Sequence, residues 1–305
     1  MPIGETFALA AALCWAIGSV LFSRIGKTVS PAAMNLMKCL TAATLLTLAR
    51  IALAASTTPL HLTARSSLLL ATSAVIGLTI GDTAYFAAMV RIGAPRAVLL
   101  LSAAPVFATV GGALLGETLS LRTALAIALT LAGIALAVTS RDDERDAHPL
   151  ADDTVDRRTQ RSGVAFGLLA ALCQAAGSLL SRRAMADGID PLAAAAGRVG
   201  IGAAALLVSA VIFGRAREWT RELAADFAWA KVALASIVGT FAGIWMAQIA
   251  LARSASTGVA TTLLATSPIF ALPLAHFIGH ERTRARAVIG AVVAVSGVAL
   301  MTVPR

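Results

Sequence analysis

Charged side chains are scarce in this chain of 305 residues. Asp, Glu, Lys and Arg make up 13% of it, against roughly 25% in an ordinary soluble domain, whereas 58% of the residues are hydrophobic. This composition excludes a soluble globular protein. The mean hydropathy of +0.83 requires long apolar segments, and each membrane-spanning helix needs about 20 such residues. We therefore expect an integral membrane protein with many spans.

Cysteine is also rare, and its placement excludes two classes of site. Cys14, Cys39 and Cys173 lie inside apolar stretches without CxxC spacing, so the sequence indicates neither a disulfide framework nor a zinc site. We expect no metal and no cofactor.

The net charge of +9 comes from basic residues that lie between the hydrophobic runs, as in membrane loops. A nucleic-acid-binding protein would collect them in a patch on a soluble surface, so we expect no nucleic-acid partner.

Ten apolar segments bounded by charged residues, Pro or Gly are long enough to be membrane helices. A highly charged stretch, Arg141 to Arg161, separates the first five from the last five and has no apolar periodicity, which is typical of a solvated linker. We therefore divide the chain into a first repeat at 1–140, a linker at 141–161 and a second repeat at 162–305. The predicted spans are 3–22, 32–55, 68–90, 95–115, 123–139, 163–181, 191–213, 229–252, 256–279 and 286–303.

The two halves repeat each other in sequence, in order and at a slowly increasing offset. Leu13-Cys14 recurs as Leu172-Cys173, Lys38 aligns with Arg198, and GxxxG recurs with its first glycine at Gly77 and then at Gly239. Because each repeat has an odd number of spans, the second half must enter the membrane from the opposite side. We expect an all-α integral membrane fold of ten transmembrane helices in two inverted five-helix repeats. Transporters built in this way bind substrate near the midplane, where the repeats meet.

Particular motifs carry a resemblance to a known family. Residues 97–107, followed by Gly116-Glu117, resemble the fourth and fifth helices of an EamA domain of the drug/metabolite transporter superfamily, and residues 261–270 with Glu281 repeat the pattern. This resemblance implies ten helices and the export or uptake of small polar metabolites, such as amino acids, by a protein that is not an enzyme. We expect a multi-pass protein of the cell inner (cytoplasmic) membrane, either a monomer or a homodimer, with a small-molecule solute and the lipid bilayer as partners.

Three ionisable residues inside the predicted spans are candidates for a functional role, because a charge at the centre of a membrane helix costs about 2.5–3.5 kcal/mol on insertion scales. Asp82 is the deepest, and Lys38 and Arg198 occupy equivalent positions in the two halves. A pair of inward cations would suit a carboxylate or phosphate substrate, and Asp82 would couple transport to a proton or another cation. The alternatives are a structural ion pair for Asp82 and, for the two basic residues, side chains that extend to the membrane surface.

Tyr85, Gln174 and Trp245 complete the predicted substrate site, on the basis of their depth in the spans. Such side chains hydrogen-bond to a polar solute or stack on it. The alternatives are that the aromatic residues form a belt at the membrane surface and that the amide joins two helices.

Two other functions compete with secondary transport. A membrane enzyme acting on a lipid-linked substrate would need a cluster of polar groups at one surface, and His276, His280 and Glu281 form the best such group. The second competing function is that of a scaffold or sensor that transports no solute.

The orientation of the chain in the membrane also stays open. The excess of basic residues in the loops opposite the termini predicts that both termini lie outside, whereas the resemblance implies that both lie inside.

Overall fold

Helices make up the regular structure of the part of the chain described by the computed structural model. The described residues are 3–53, 63–114, 121–139, 153–185, 189, 191–253, 263–277 and 285–302. The predicted linker lies outside them from 141 to 152, and the sixth apolar segment belongs to a helix that begins at Asp153, within the predicted linker.

The first half of the chain contains seven helices and one π-helical segment. This first π segment, Ala74–Gly81, joins α3 to α4 without a break. The helices are α1 Ile3–Ile25, α2 Pro31–Leu53, α3 Ala64–Ser73, α4 Asp82–Ile92, α5 Ala94–Leu101, α6 Ala104–Leu114 and α7 Leu121–Thr139.

The described part of the second half also contains seven helices and one π-helical segment; the helix Ala216–Ala224 has no described counterpart in the first half, and a counterpart of α5 is not among the described residues. A second π segment, Ile237–Ala242, joins α11 to α12, and a 3₁₀ turn, Ala225–Phe227, precedes α11. The helices are α8 Asp153–Met185, α9 Pro191–Ile212, α10 Ala216–Ala224, α11 Ala228–Ser236, α12 Gly243–Arg253, α13 Ser267–Phe277 and α14 Ala285–Thr302. The short α10 was not predicted, because its charged residues lie between two apolar runs.

Local sequence explains where several helices begin. Thr63 caps α3 by accepting a hydrogen bond from the Ser66 amide on its hydroxyl oxygen, and the Thr63 amide donates one to Ser66 Oγ, a reciprocal capping box. Gly93 separates α4 from α5 with a φ of 80°, a conformation that glycine adopts without steric cost. Pro95 stands in the first turn of α5, where its missing N–H is not needed.

Six helical stretches are long and apolar enough to cross a membrane: 3–25, 31–52, 64–92, 157–185, 192–212 and 216–247. Four shorter apolar helices lie at 94–107, 124–137, 267–277 and 285–300. The chain is therefore a multi-pass membrane protein, and each predicted apolar segment coincides with helix in the residues described.

The first helix of each half crosses the π segment of the other half at a pair of glycines. A Cβ atom added to Gly18 of α1 would lie 2.6 Å from the Gly239 Cα, and one added to Gly177 of α8 would lie 3.0 Å from the Gly77 Cα. Only glycine allows backbones to approach this closely. The contacts are reciprocal between the halves, because α1 packs against the second π segment and α12, and α8 packs against the first π segment and α4.

Two further pairs join equivalent helices of the two halves. The α2 helix packs against α9, and their buried side chains include Met34, Leu46 and Val199 of the largest hydrophobic cluster. The α7 helix packs against α14, where a Cβ atom on Gly290 would lie 2.6 Å from the Gly133 carbonyl oxygen. The two halves are thus held together along α1, α2, α7 and α8, with the centre of the molecule between α2, α4 and α9.

The glycine crossing gives a first prediction. We expect Gly18→Ala to destabilise the fold by about 1–3 kcal/mol, because the new methyl group meets backbone atoms that cannot rotate away. Gly111→Ala is the matched control, since a Cβ atom there meets nothing within 4 Å and alanine favours a helix over glycine by up to about 1 kcal/mol. Thermal unfolding in one detergent compares them, and equal melting temperatures would contradict the close crossing.

Candidate functional site

A buried ion pair lies at the centre of the molecule. The Lys38 ammonium of α2 forms a salt bridge with the Asp82 carboxylate at the start of α4, and Lys38 is 5% exposed. The same ammonium lies 5.4 Å from the ring centroid of Phe86, within reach of a cation–π interaction. Lys38 therefore does not extend to the membrane surface, and the ion pair that was one alternative for Asp82 is formed.

Asn35 fixes α2 against the first π segment. It is fully buried, and its Nδ2 atom donates to the Leu78 carbonyl oxygen at 2.8 Å and to Thr83 Oγ1 at 2.9 Å. These contacts lie where the backbone spacing changes, because the Asp82 N–H donates to Gly77, five residues back. Isolated π-helical turns occur mostly at functional sites, and this one sets the position of Asp82 relative to Lys38.

Arg198 of α9 approaches the same segment from the second half. Its Nη2 atom lies 3.4 Å from the position a Cβ atom would take on Gly77, so the glycine leaves the space that the guanidinium occupies. Its Nε atom is buried and has no hydrogen-bond partner among the described residues. Asp82 interacts electrostatically with Arg198 as well as with Lys38.

Three glycines flank this arginine on α9. Within the described residues, a Cβ atom on either Gly197 or Gly200 would meet nothing within 4 Å, whereas one on Gly202 would lie 3.3 Å from Leu78. Gly202 therefore allows helix packing. Gly197 and Gly200 lie one and two residues from Arg198, so they leave open positions on other sides of α9, and Gly197 is exposed.

Tyr85 lies one turn after Asp82 and reaches α1. Ser19 donates its hydroxyl hydrogen to the Trp15 carbonyl at 2.7 Å, so the Tyr85 hydroxyl, 2.9 Å from Ser19 Oγ, donates to Ser19. Asp82 also interacts electrostatically with Tyr85. The predicted site residues Lys38, Asp82, Arg198 and Tyr85 thus come together.

The other two predicted site residues have no described bond to this group. Gln174 is half-buried on α8, next to Cys173, which interacts electrostatically with Asp82. Trp245 is half-buried on α12 and its ring packs 5.5 Å from that of Phe241, centroid to centroid.

The group considered for enzyme chemistry does not form a described site. His276 is exposed near the end of α13, and His280 and Glu281 lie outside the described residues. Within the described ranges, no group of three His, Cys, Asp or Glu side chains is placed to hold a metal ion.

The comparison with protein families decides the identity. The model of the EamA-like transporter family matches residues 2–139 and again 161–303. The chain belongs to this family. It is therefore a member of the drug/metabolite transporter superfamily, as its motifs predicted, and its partners are a small-molecule solute and the lipid bilayer.

A solved structure has the same fold as this EamA-like transporter. That chain, titled "Crystal structure of protein", is similar over 97% of the transporter and 95% of its own length, with a TM-score of 0.66 and 17% sequence identity. At this identity the likeness extends to the fold alone. No protein of curated function matches significantly.

Sequence reasoning undervalued the side chains that hold the charged groups of the transporter in place. Asn35 precedes Lys38 by three residues, which puts both on one face of α2, and that spacing was the available signal. Ser19 and Phe86 are ordinary residues in apolar runs, so nothing in the sequence pointed to their contacts with Tyr85 and Lys38.

The ion pair gives a second prediction. We expect Lys38→Met to destabilise the transporter by about 1–3 kcal/mol, because it removes the salt-bridge partner of the Asp82 carboxylate, whose side chain is 22% exposed. The double variant Lys38→Met/Asp82→Asn should recover most of that loss. Thermal unfolding of the two single variants and the double variant, analysed as a double-mutant cycle, measures the coupling. Additive effects would contradict the pairing.

Proposed function

We propose that this EamA-like protein is a secondary transporter that exports small polar metabolites bearing a carboxylate, such as amino acids, across the cytoplasmic membrane by alternating access. The observation that carries the proposal is the buried group of Lys38, Asp82 and Arg198, in which Arg198 retains a buried Nε atom without a hydrogen-bond partner among the described residues.

The formal charges of this group, two cations and one carboxylate, sum to +1. Lys38 and Asp82 neutralise each other in a salt bridge, which leaves the guanidinium of Arg198 as one excess positive charge beside them. A buried cation is stable only when it is paired or hydrogen-bonded. A solute carboxylate would supply both the missing charge and an acceptor for the free N–H, and arginine binds carboxylates in a planar, two-pronged geometry.

The surroundings of Arg198 suit a small solute. The open positions at Gly197 and Gly200 leave space on α9, and the Tyr85 hydroxyl and the half-buried Gln174 and Trp245 are the side chains that we propose line the remaining wall. Hydrogen bonding by Tyr85 and Gln174 and stacking on Trp245 fit an amphipathic metabolite with a polar backbone.

Alternating access follows from an inverted arrangement of the halves, which we infer from two supports. The family model matches twice in tandem, and the glycine crossings Gly18 to Gly239 and Gly177 to Gly77 are related by exchange of the halves. On this basis the six long and four shorter apolar helices make ten spans, with residues 141–161 as a connection outside the solute path. The two halves would rock around the central charges, as inverted-repeat transporters do.

The third prediction tests the solute subsite. In vesicles containing purified protein, we expect Arg198→Met to weaken the transport of a carboxylate metabolite by about 10- to 100-fold, since a hydrogen bond to a charged group contributes roughly 1.5–3 kcal/mol. The control is Arg183→Met, an exposed arginine at the end of α8. Transport of the corresponding amide should change little in either variant.

Wild-type flux of the carboxylate in a folded Arg198→Met variant would contradict the subsite. Lys38→Met should also weaken transport, but it is the poorer test because it disrupts the Asp82 ion pair.

The fourth prediction concerns coupling. Asp82 interacts with both cations, and its counterpart in the second half, Ile244, is apolar, so we propose that Asp82 carries the coupling proton or cation. We expect Asp82→Asn to abolish accumulation driven by a pH or sodium gradient while exchange of labelled for unlabelled solute continues. Accumulation measured in the same vesicles checks this, and gradient-driven accumulation that survives would assign coupling to another group.

A further inference from the structure

The short helix α10 is tied to the rest of the protein by one of its sides. Glu222 accepts hydrogen bonds from the Ser30 amide at 2.9 Å and from the Ser30 hydroxyl at 2.6 Å, immediately before α2 begins. Trp219 is 7% exposed and belongs to the largest hydrophobic cluster. The α10 helix is therefore docked on the start of α2 and is not a free loop.

Exposed aromatic side chains place α10 at the level of the membrane surface. Phe213 lies just before it, and Phe227 and Trp229 lie just after it, with exposed fractions of 75%, 72% and 48%. Tryptophan is enriched where the hydrocarbon meets the headgroups, and phenylalanine is common on the apolar side of helices that lie at this level. An amphipathic helix at this level lies in the plane of the surface with its apolar side toward the acyl chains.

A groove of about 370 Å³ lies under the apolar side of α10, between α9 and α2. Its lining is apolar except for Thr220, whose hydroxyl already donates to the Ala216 carbonyl at 2.8 Å. Among the described side chains, the groove therefore offers a polar solute no free hydrogen-bonding group apart from the indole N–H of Trp219. Its side chains include Leu36, Leu207, Val208, Val211, Trp219 and Leu223.

The groove opens toward the bilayer. Val208 and Val211 on its α9 side are 57% and 72% exposed, and both belong to a helix that is long and apolar enough to span the membrane. The occupant that reaches this opening from within the hydrocarbon region is a lipid acyl chain.

The charged residues of α10 favour a lipid with an anionic headgroup. Its two carboxylates are engaged, because Glu218 pairs with Arg215 and Glu222 binds Ser30. Arg217 and Arg221 are exposed and stand four residues apart on one face of the helix. In the part of the chain described, neither has an acidic partner.

We propose that α10 and the groove beneath it form a binding site for an anionic phospholipid of the surrounding bilayer. One acyl chain lies in the groove along α9, and the phosphodiester headgroup binds Arg217 and Arg221. Arginine suits a phosphate because its planar fork donates two parallel hydrogen bonds. The site is separate from the central charges of Lys38, Asp82 and Arg198, and it does not depend on the proposed transport.

Trp219 reports on occupancy, because it lines the groove. The full chain is reconstituted in phosphatidylcholine vesicles that contain increasing fractions of phosphatidylglycerol with brominated acyl chains, or of brominated phosphatidylcholine as the neutral probe. Bromine quenches tryptophan fluorescence on contact. The quenching lost in the Trp219→Phe variant is the signal from the groove.

We expect brominated phosphatidylglycerol to quench this signal at about a tenfold lower fraction than brominated phosphatidylcholine. Arg217→Gln/Arg221→Gln should remove the preference, whereas the matched pair Lys27→Gln/Lys231→Gln, which removes two exposed positive charges near α10, should retain it. Val208→Phe should lower quenching by either lipid without altering the arginines.

Equal quenching by the two lipids in the wild type would overturn the proposal. Loss of the preference in the lysine pair as well would also overturn it, because the effect would then be one of general surface charge. Displacement of the brominated lipid by soluble glycerol phosphate would show that the arginines bind the headgroup alone, which contradicts a lipid site.

Discussion

The requirement that charge be compensated inside a membrane governs the centre of this transporter. Lys38 is almost completely buried and is stabilised by Asp82, and removal of either partner leaves the other charge uncompensated at a cost in stability. Their pairing fixes the position of α2 relative to α4 at one point. Arg198 enters the same region from α9 with a buried Nε atom that lacks a hydrogen-bond partner among the described residues.

Backbone irregularity provides the geometry for this pairing. Each half interrupts its third apolar helix with a π segment, and in each case the first helix of the other half crosses that segment at a glycine pair. The two halves differ, however, in the side chains that contact these π segments. Asn35 binds the first π segment, whereas Ala195 stands three residues before Arg198 in the second half, so only one half has an amide at this place.

The sequence predicted the parts of the structure that follow from hydrophobicity and from repetition. The apolar segments and the family could be predicted from the sequence, because a membrane imposes strict rules on the length and charge of the segments that cross it. The sequence did not predict that Lys38 pairs with Asp82 instead of extending to the membrane surface, because the pairing depends on how α2 is rotated about its axis relative to α4. The only sequence signal for the π segments was the GxxxG pattern. The α10 helix was not predicted, because its nine residues include both acidic and basic side chains, a composition that is typical of a loop.

The bond between Glu222 and Ser30 has a mechanical consequence. Ser30 precedes the first residue of α2, and Lys38 lies eight residues further along the chain, about 12 Å along a helix that rises 1.5 Å per residue. An α-helix of this length is stiff. The start of α2 is held by the bond from Ser30 to Glu222, and the charged group of Lys38 lies partway along the same helix. Any displacement of the outer end is carried to the ion pair.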